Sequence, residues 1–183
     1  SALIQPSANM AIGADNVPGS FFDGKIADVR LWNVVRTQTQ IRDNMNQQLV
    51  GTETNLIGYW KLNESTLTND CSTTSITDSS GNANNGTSCP NGTGATGGNA
   101  GKFGYGVTFD GVNDYGEVAD NDILDIRTGS KSWAFWFKTT TSGRVVAQVG
   151  SYNPHTKVAV LDNEKISFYL KNGAQPSDRA ARL

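Results

Sequence analysis

The residues able to do conventional chemistry are few: one histidine (His155), two cysteines (Cys71 and Cys89) and 17 carboxylates in 183 residues. His155 stands in Tyr152-Asn153-Pro154-His155-Thr156, a turn-like stretch that reads as an exposed loop. A nucleophile–histidine–acid relay would have to use it. A zinc site built from several His and Cys ligands is ruled out within one chain. Retaining glycoside hydrolysis needs two carboxyls about 5–5.5 Å apart, a separation that residues two or four apart on one strand face supply. None of Glu53, Glu64, Glu117 and Glu164 is followed by a Glu or Asp at two and then four positions, and Asp120 has the wrong parity relative to Glu117. The chain is therefore expected not to be an enzyme.

Carboxylates and amides suit binding better. Asp78-Ser79-Ser80-Gly81-Asn82-Ala83-Asn84-Asn85-Gly86 gathers many hard oxygens in one segment, and calcium takes six to eight such ligands. The plainer alternative is a solvated turn closed by the Asp78 side chain. Cys71 and Cys89 flank part of a polar stretch with little core to hide a thiol. A bridge between them is preferred to two unpaired buried thiols and would contribute about 3 kcal/mol in the chain-entropy model. Three N-x-[ST] sequons begin at Asn63, Asn85 and Asn91. Bridge and sequons together predict a secreted, glycosylated protein outside the cytosol. Tyr105, Tyr115 and Trp136 are candidates for stacking on sugar rings, with core packing as the alternative for each.

The elements that would carry these residues are short strands. Ala11–Gly13, Lys25–Trp32, Ile57–Leu62, Gly106–Phe109, Tyr115–Ala119, Ser132–Lys138, Arg144–Val149, Lys157–Leu161 and Lys165–Leu170 are apolar or alternating, punctuated by turns such as Asp110-Gly111 and Asn172-Gly173. So many short strands predict an all-β antiparallel jelly-roll sandwich. One short helix is expected near residues 38–49, capped by Thr37, with Ile41, Met45 and Leu49 against the sheet. Thr66–Gly101 is polar, with almost no bulky apolar residue except Ile76, and reads as a long tethered or disordered loop. In Lys25–Trp32 the apolar Ile26, Val29 and Leu31 are spaced by three and then two, which predicts a bulge that re-aims Asp28.

Two groups of motifs are similar to a known family. One is Phe21-Phe22-Asp23-Gly24-Lys25-Ile26-Ala27-Asp28-Val29-Arg30-Leu31-Trp32-Asn33 with the helix after it. The other begins at Gly58-Tyr59-Trp60-Lys61-Leu62, continues through Asp78–Thr87 and Val107-Thr108-Phe109-Asp110-Gly111, and ends at Trp133-Ala134-Phe135-Trp136-Phe137-Lys138. They resemble the closing and opening halves of a laminin-G-like/pentraxin-type domain of the concanavalin A-like lectin/glucanase superfamily, here in reversed order. The resemblance implies residues 1–50 as a closing part, 51–56 as a linker and 57–183 as the opening part of a second or permuted sandwich. It also implies a structural Ca2+ on Asp78 and Asn82, with Asp28 and Asp110 as further ligands.

A formal net charge of −2 provides no surplus for gripping phosphates, so no nucleic-acid partner is expected. No apolar run nears the roughly 20 residues that cross a bilayer, and neither end reads as a signal peptide. The expectation is a non-catalytic extracellular adhesion or recognition module from a larger surface protein, with a glycan or extracellular protein as partner. The alternative is a structural repeat of an extracellular filament or stalk, completed by strands of neighbouring copies.

Overall fold

A computed structural model of the chain describes residues 9–15, 20–90, 92–125, 129–140, 145–146, 150–153, 158–161 and 164. Its strands are β1 (Met10–Ile12), β2 (Asp23–Trp32), β3 (Leu56–Trp60), β4 (Thr74–Ile76), β5 (Gly86–Cys89), β6 (Thr96–Phe103), β7 (Tyr105–Asp110), β8 (Tyr115–Val118), β9 (Ser132–Thr139), β10 (Val145–Val146), β11 (Gly150–Asn153) and β12 (Val158–Leu161), and the helix α1 spans Gln38–Asn44. All strand pairing is antiparallel. One sheet runs β1-β8-β5-β4; a second runs β10-β9-β2-β7-β6; β11 and β12 form a hairpin. The predicted strand at Lys165–Leu170 lies outside the described residues, as do His155 and Asn91.

Strand β2 organises the larger sheet. Along one edge it pairs with β9 from Gly24↔Thr139 to Trp32↔Ser132. Its other edge is divided: Asp23–Ile26 pair with β7, and Val29–Trp32 pair with β3. The first fifty residues and those after them thus share one sheet within one chain. The bulge falls where the apolar spacing predicts it. The β2–β9 register shifts between Ala27 and Arg30, and Asp28 takes a left-handed φ of 60°, with its N–H donated to the Lys61 carbonyl at 3.0 Å. Inserting one residue flips the alternation. Ile26 before the bulge and Val29 and Leu31 after it therefore enter the same apolar cluster.

That cluster lies between the two sheets. Ile12, Ile76 and Val118 from the smaller sheet meet Val29, Leu31, Trp60, Val107 and Phe109 from the larger one. A second cluster of Trp32, Leu49, Leu56 and Tyr59, with Ala134 against it, sits on the outer face of the larger sheet. Burying such side chains contributes roughly 1.5–3 kcal/mol each.

The structure corrects two expectations. The helix ends at Asn44 rather than near residue 49. Thr37 and Gln40 close a capping box at its start, but at its end the Arg30 guanidinium donates to the carbonyls of Asn44 (2.8 Å) and Gln47 (2.5 Å). The chain turns there and delivers Leu49 to the second cluster. The polar stretch 66–101 is also no simple loop, for it contains β4, β5 and most of β6. These strands need few apolar side chains, because neighbours already in place take up their backbone groups: β5 pairs with β8 along Gly86–Cys89, and β6 pairs with β7.

Candidate functional site

Tyr59 on β3 links two of the carboxylates singled out from the sequence, Asp28 and Asp78. Its hydroxyl donates to Asp28 Oδ1 at 2.8 Å, and its backbone N–H donates to Asp78 Oδ1 at 2.9 Å. Asp28 also forms an ion pair with Arg30 at 2.6 Å, both side chains being buried. The Arg30 guanidinium stacks 5.6 Å from the Tyr59 ring centre while holding the end of α1. Burial is the largest influence on Asp28 and pushes its pKa up, against the lowering effects of Arg30, Tyr59 and Lys61. Burial likewise raises the Tyr59 phenol, helped by its bond to the Asp28 carboxylate. The constellation ties the helix segment to the sheet by charge-assisted hydrogen bonds.

Asp78 is the centre of a second polar hub. Oδ1 accepts from Tyr59 N (2.9 Å) and Ser80 N (2.8 Å), and Oδ2 accepts from Ser80 Oγ (2.9 Å) and Asn84 N (2.9 Å). An ionised carboxylate offers about four lone-pair sites, and these four donors occupy them. Asn82 turns its amide nitrogen toward the carbonyls of Leu56 and Ile57, at 3.4 Å each. Asn84 is buried, accepts from Trp60 Nε1 through its carbonyl (2.8 Å) and donates to Ile57 O (3.0 Å).

As arranged, these residues do not fit calcium, which needs oxygens aimed at the ion rather than oxygens already filled by N–H and O–H donors. Asp28 is committed to Arg30 and Tyr59. Asp110 accepts from the N–H groups of Val112 (2.8 Å) and Asn113 (3.3 Å) in its own turn. Among the described residues no three His, Cys, Asp or Glu side chains converge in a metal-holding group.

The candidate aromatics are dispersed over β7, β8 and β9. Tyr105 is 48% exposed. Tyr115 is half-buried, its ring 6.4 Å from that of Phe21. Trp136 is half-buried too: its indole N–H donates to Met45 O at 3.0 Å, and Lys102 Nζ sits 4.0 Å above its ring. Cys71 and Cys89 are joined in a disulfide, tying the turn at Asp70–Thr73 to the end of β5. Asn63 and Asn85 are exposed, and Asn85 Oδ1 accepts from Asp78 N at 2.9 Å. No described helix is long and apolar enough to cross a membrane.

Comparison with known proteins picks out a different part of the chain. The family model "Ribosomal protein S16" matches residues 137–177. A small ribosomal subunit protein bS16 from Clostridium botulinum is 37% identical over 65 residues, covering 31% of this chain and 79% of that protein. The bS16 of Pseudomonas putida strain W619 is 40% identical over 68 residues, covering 31% and 81%, and that of Mycoplasmopsis pulmonis is 46% identical over 41 residues, covering 22% and 47%. No solved structure matches.

These matches overturn the resemblance to a laminin-G-like/pentraxin-type, concanavalin A-like domain. With it go the extracellular adhesion, lectin-like and recognition readings, the extracellular filament alternative, the secreted or cell-surface location, the glycan or extracellular-protein partner and the exclusion of nucleic acid. The motifs behind that resemblance are strand and turn signals that antiparallel sheets share widely, and likeness at that level does not settle function.

Charge averaged over the whole chain conceals the matched segment. Residues 131–183 hold eight Lys and Arg against three Asp and Glu, formally +5, while residues 1–130 hold seven against fourteen, formally −7, the two parts making the chain's −2. Charge asymmetry between parts of a chain is a signal for an anionic partner that the total hides. Of the matched segment, the structure describes the end of β9 (from Phe137), β10, β11 and β12.

Proposed function

The chain belongs to the ribosomal protein S16 family, and from that membership we propose that it serves as a structural component of a small ribosomal subunit, in contact with ribosomal RNA in the cytoplasm. The family is structural and non-enzymatic, and the chain is not an enzyme. The observation that carries the reading is the match of residues 137–177 to a family whose named members are small-subunit proteins. The charge distribution supports it. Lys138, Arg144, Lys157, Lys165 and Lys171 stand against Asp162 and Glu164 in the matched segment, and a local cationic excess is what a phosphate backbone recruits.

The test is binding of the full chain to small-subunit ribosomal RNA, followed across a range of salt concentrations. Affinity should fall as salt rises, with a log–log slope of roughly 0.7–0.9 per phosphate neutralised. A triple Lys157→Gln, Lys165→Gln, Lys171→Gln variant should bind more weakly with a shallower slope. Absence of RNA binding at low salt would overturn the reading.

A further inference from the structure

The outer face of the larger sheet presents lysines that form no ion pair among the described residues. Lys25 on β2 lies directly opposite Lys138 on β9, and directly opposed side chains on antiparallel strands have Cβ atoms about 5 Å apart. Both residues share a face with Ala27 and Trp136, the next outward pair in the register. On that face Lys102 reaches from β6 to stand 4.0 Å above the Trp136 ring, held by a 3.1 Å bond to Asn46 Oδ1.

Like charges placed directly opposite destabilise a sheet. Neither Lys25 nor Lys138 joins an ion pair among the described residues. Two carboxylates stand opposite each other two residues further along β2 from Lys25, Asp23 on β2 and Asp110 on β7. Asp23 accepts the Thr140 hydroxyl at 2.6 Å, and Asp110 accepts from the N–H groups of its own turn. Lys138 also belongs to the segment matched to the ribosomal family, whereas Lys25 does not. The pair therefore joins the basic segment to the sheet that precedes it.

Resting on the RNA-contact reading, we infer that Lys25 and Lys138 together hold a backbone phosphate of ribosomal RNA, with Lys102 as a third cation along the same face. An anion seated between two opposed ammonium groups turns their repulsion into attraction, and ribosomal RNA is the polyanion the family would meet.

The experiment compares the full chain with a Lys25→Gln, Lys138→Gln double variant for binding to small-subunit ribosomal RNA over a salt series, with thermal melting alongside. The expected result is roughly tenfold or greater weakening at low salt, a slope shallower by about 0.7–0.9 for the one phosphate no longer neutralised, and a melting temperature unchanged or raised. If the wild-type chain binds and the double variant matches it in affinity and slope, the inference is overturned while the RNA-contact reading stands. If the wild-type chain binds no RNA, both fall together. A lowered melting temperature would show that the pair serves the fold and would also overturn the inference.

Discussion

The Tyr59 hydroxyl donates to the buried Asp28 carboxylate at 2.8 Å and accepts the Leu49 N–H at 3.2 Å. One phenol thus joins the bulge of β2 to the segment that follows α1. Tyr59→Phe keeps the ring and its packing but removes a donor from Asp28 and the acceptor from the Leu49 amide. A hydrogen bond to a charged group is worth about 1.5–3 kcal/mol, so urea unfolding should show a loss in that range. A change under about 0.5 kcal/mol would mean that water replaces the phenol without cost.

Acid should loosen the Asp70 turn. Hydrogen bonds from the Thr73 hydroxyl first, then from the N–H groups of Thr73 and Ser72, hold Asp70 down to about 2, from an ordinary value of 3.8. Because the folded value is the lower one, the stabilisation is complete above the unfolded value and is lost as pH falls through about 2. Asp28 runs the opposite way. Its folded value is raised by burial, so its contribution is present below 3.8 and is lost as pH rises through the folded value. An Asp70→Asn variant should lose stability less steeply than the wild type between about pH 4 and pH 2. Superimposable stability curves over that range would refute the assignment.

Reducing the Cys71–Cys89 bridge should cost about 3 kcal/mol, because it releases a loop with a sequence separation of 18. Denaturant unfolding with and without reductant measures this directly. A smaller loss would show that pairing of β5 with β8 constrains the segment without the bridge.

Gly51 has a φ of +106°, and a Cβ there would collide with the Ser79 backbone carbonyl. Gly51→Ala must therefore move the backbone that carries the Asp78 hub, at a cost of about 2 kcal/mol or more. A melting temperature within a degree of wild type would show that the Ser79 turn gives way freely.

Calcium at millimolar concentration should leave the melting temperature unchanged, since the Asp78 lone pairs are already occupied. A rise of several degrees would mean that the hub rearranges to offer its oxygens to the ion.

What could be read without the fold is what depends on neighbours along the chain. The spacing of Ile26, Val29 and Leu31 locates the bulge at Asp28, Thr37 is legible as a helix cap, and β7, β8 and β9 stand out by their apolar and aromatic residues. Composition alone also identifies the basic last third, once charge is counted by segment rather than over the whole chain.

Tertiary structure decided the rest, because the deciding partners are remote in sequence. Strands β5 and β6 arise in a polar stretch because the backbone groups of β8 and β7 are there to pair with them, and β5 in turn pairs with β4. The helix stops at Asn44 because Arg30, fourteen residues earlier, takes its terminal carbonyl. Asp78 is closed to a cation by the Tyr59 amide, nineteen residues away. The opposition of Lys25 and Lys138 exists only in the register of β2 against β9. Local periodicity records which residues prefer to be buried, but the partner each polar group finds is set by which strands lie side by side.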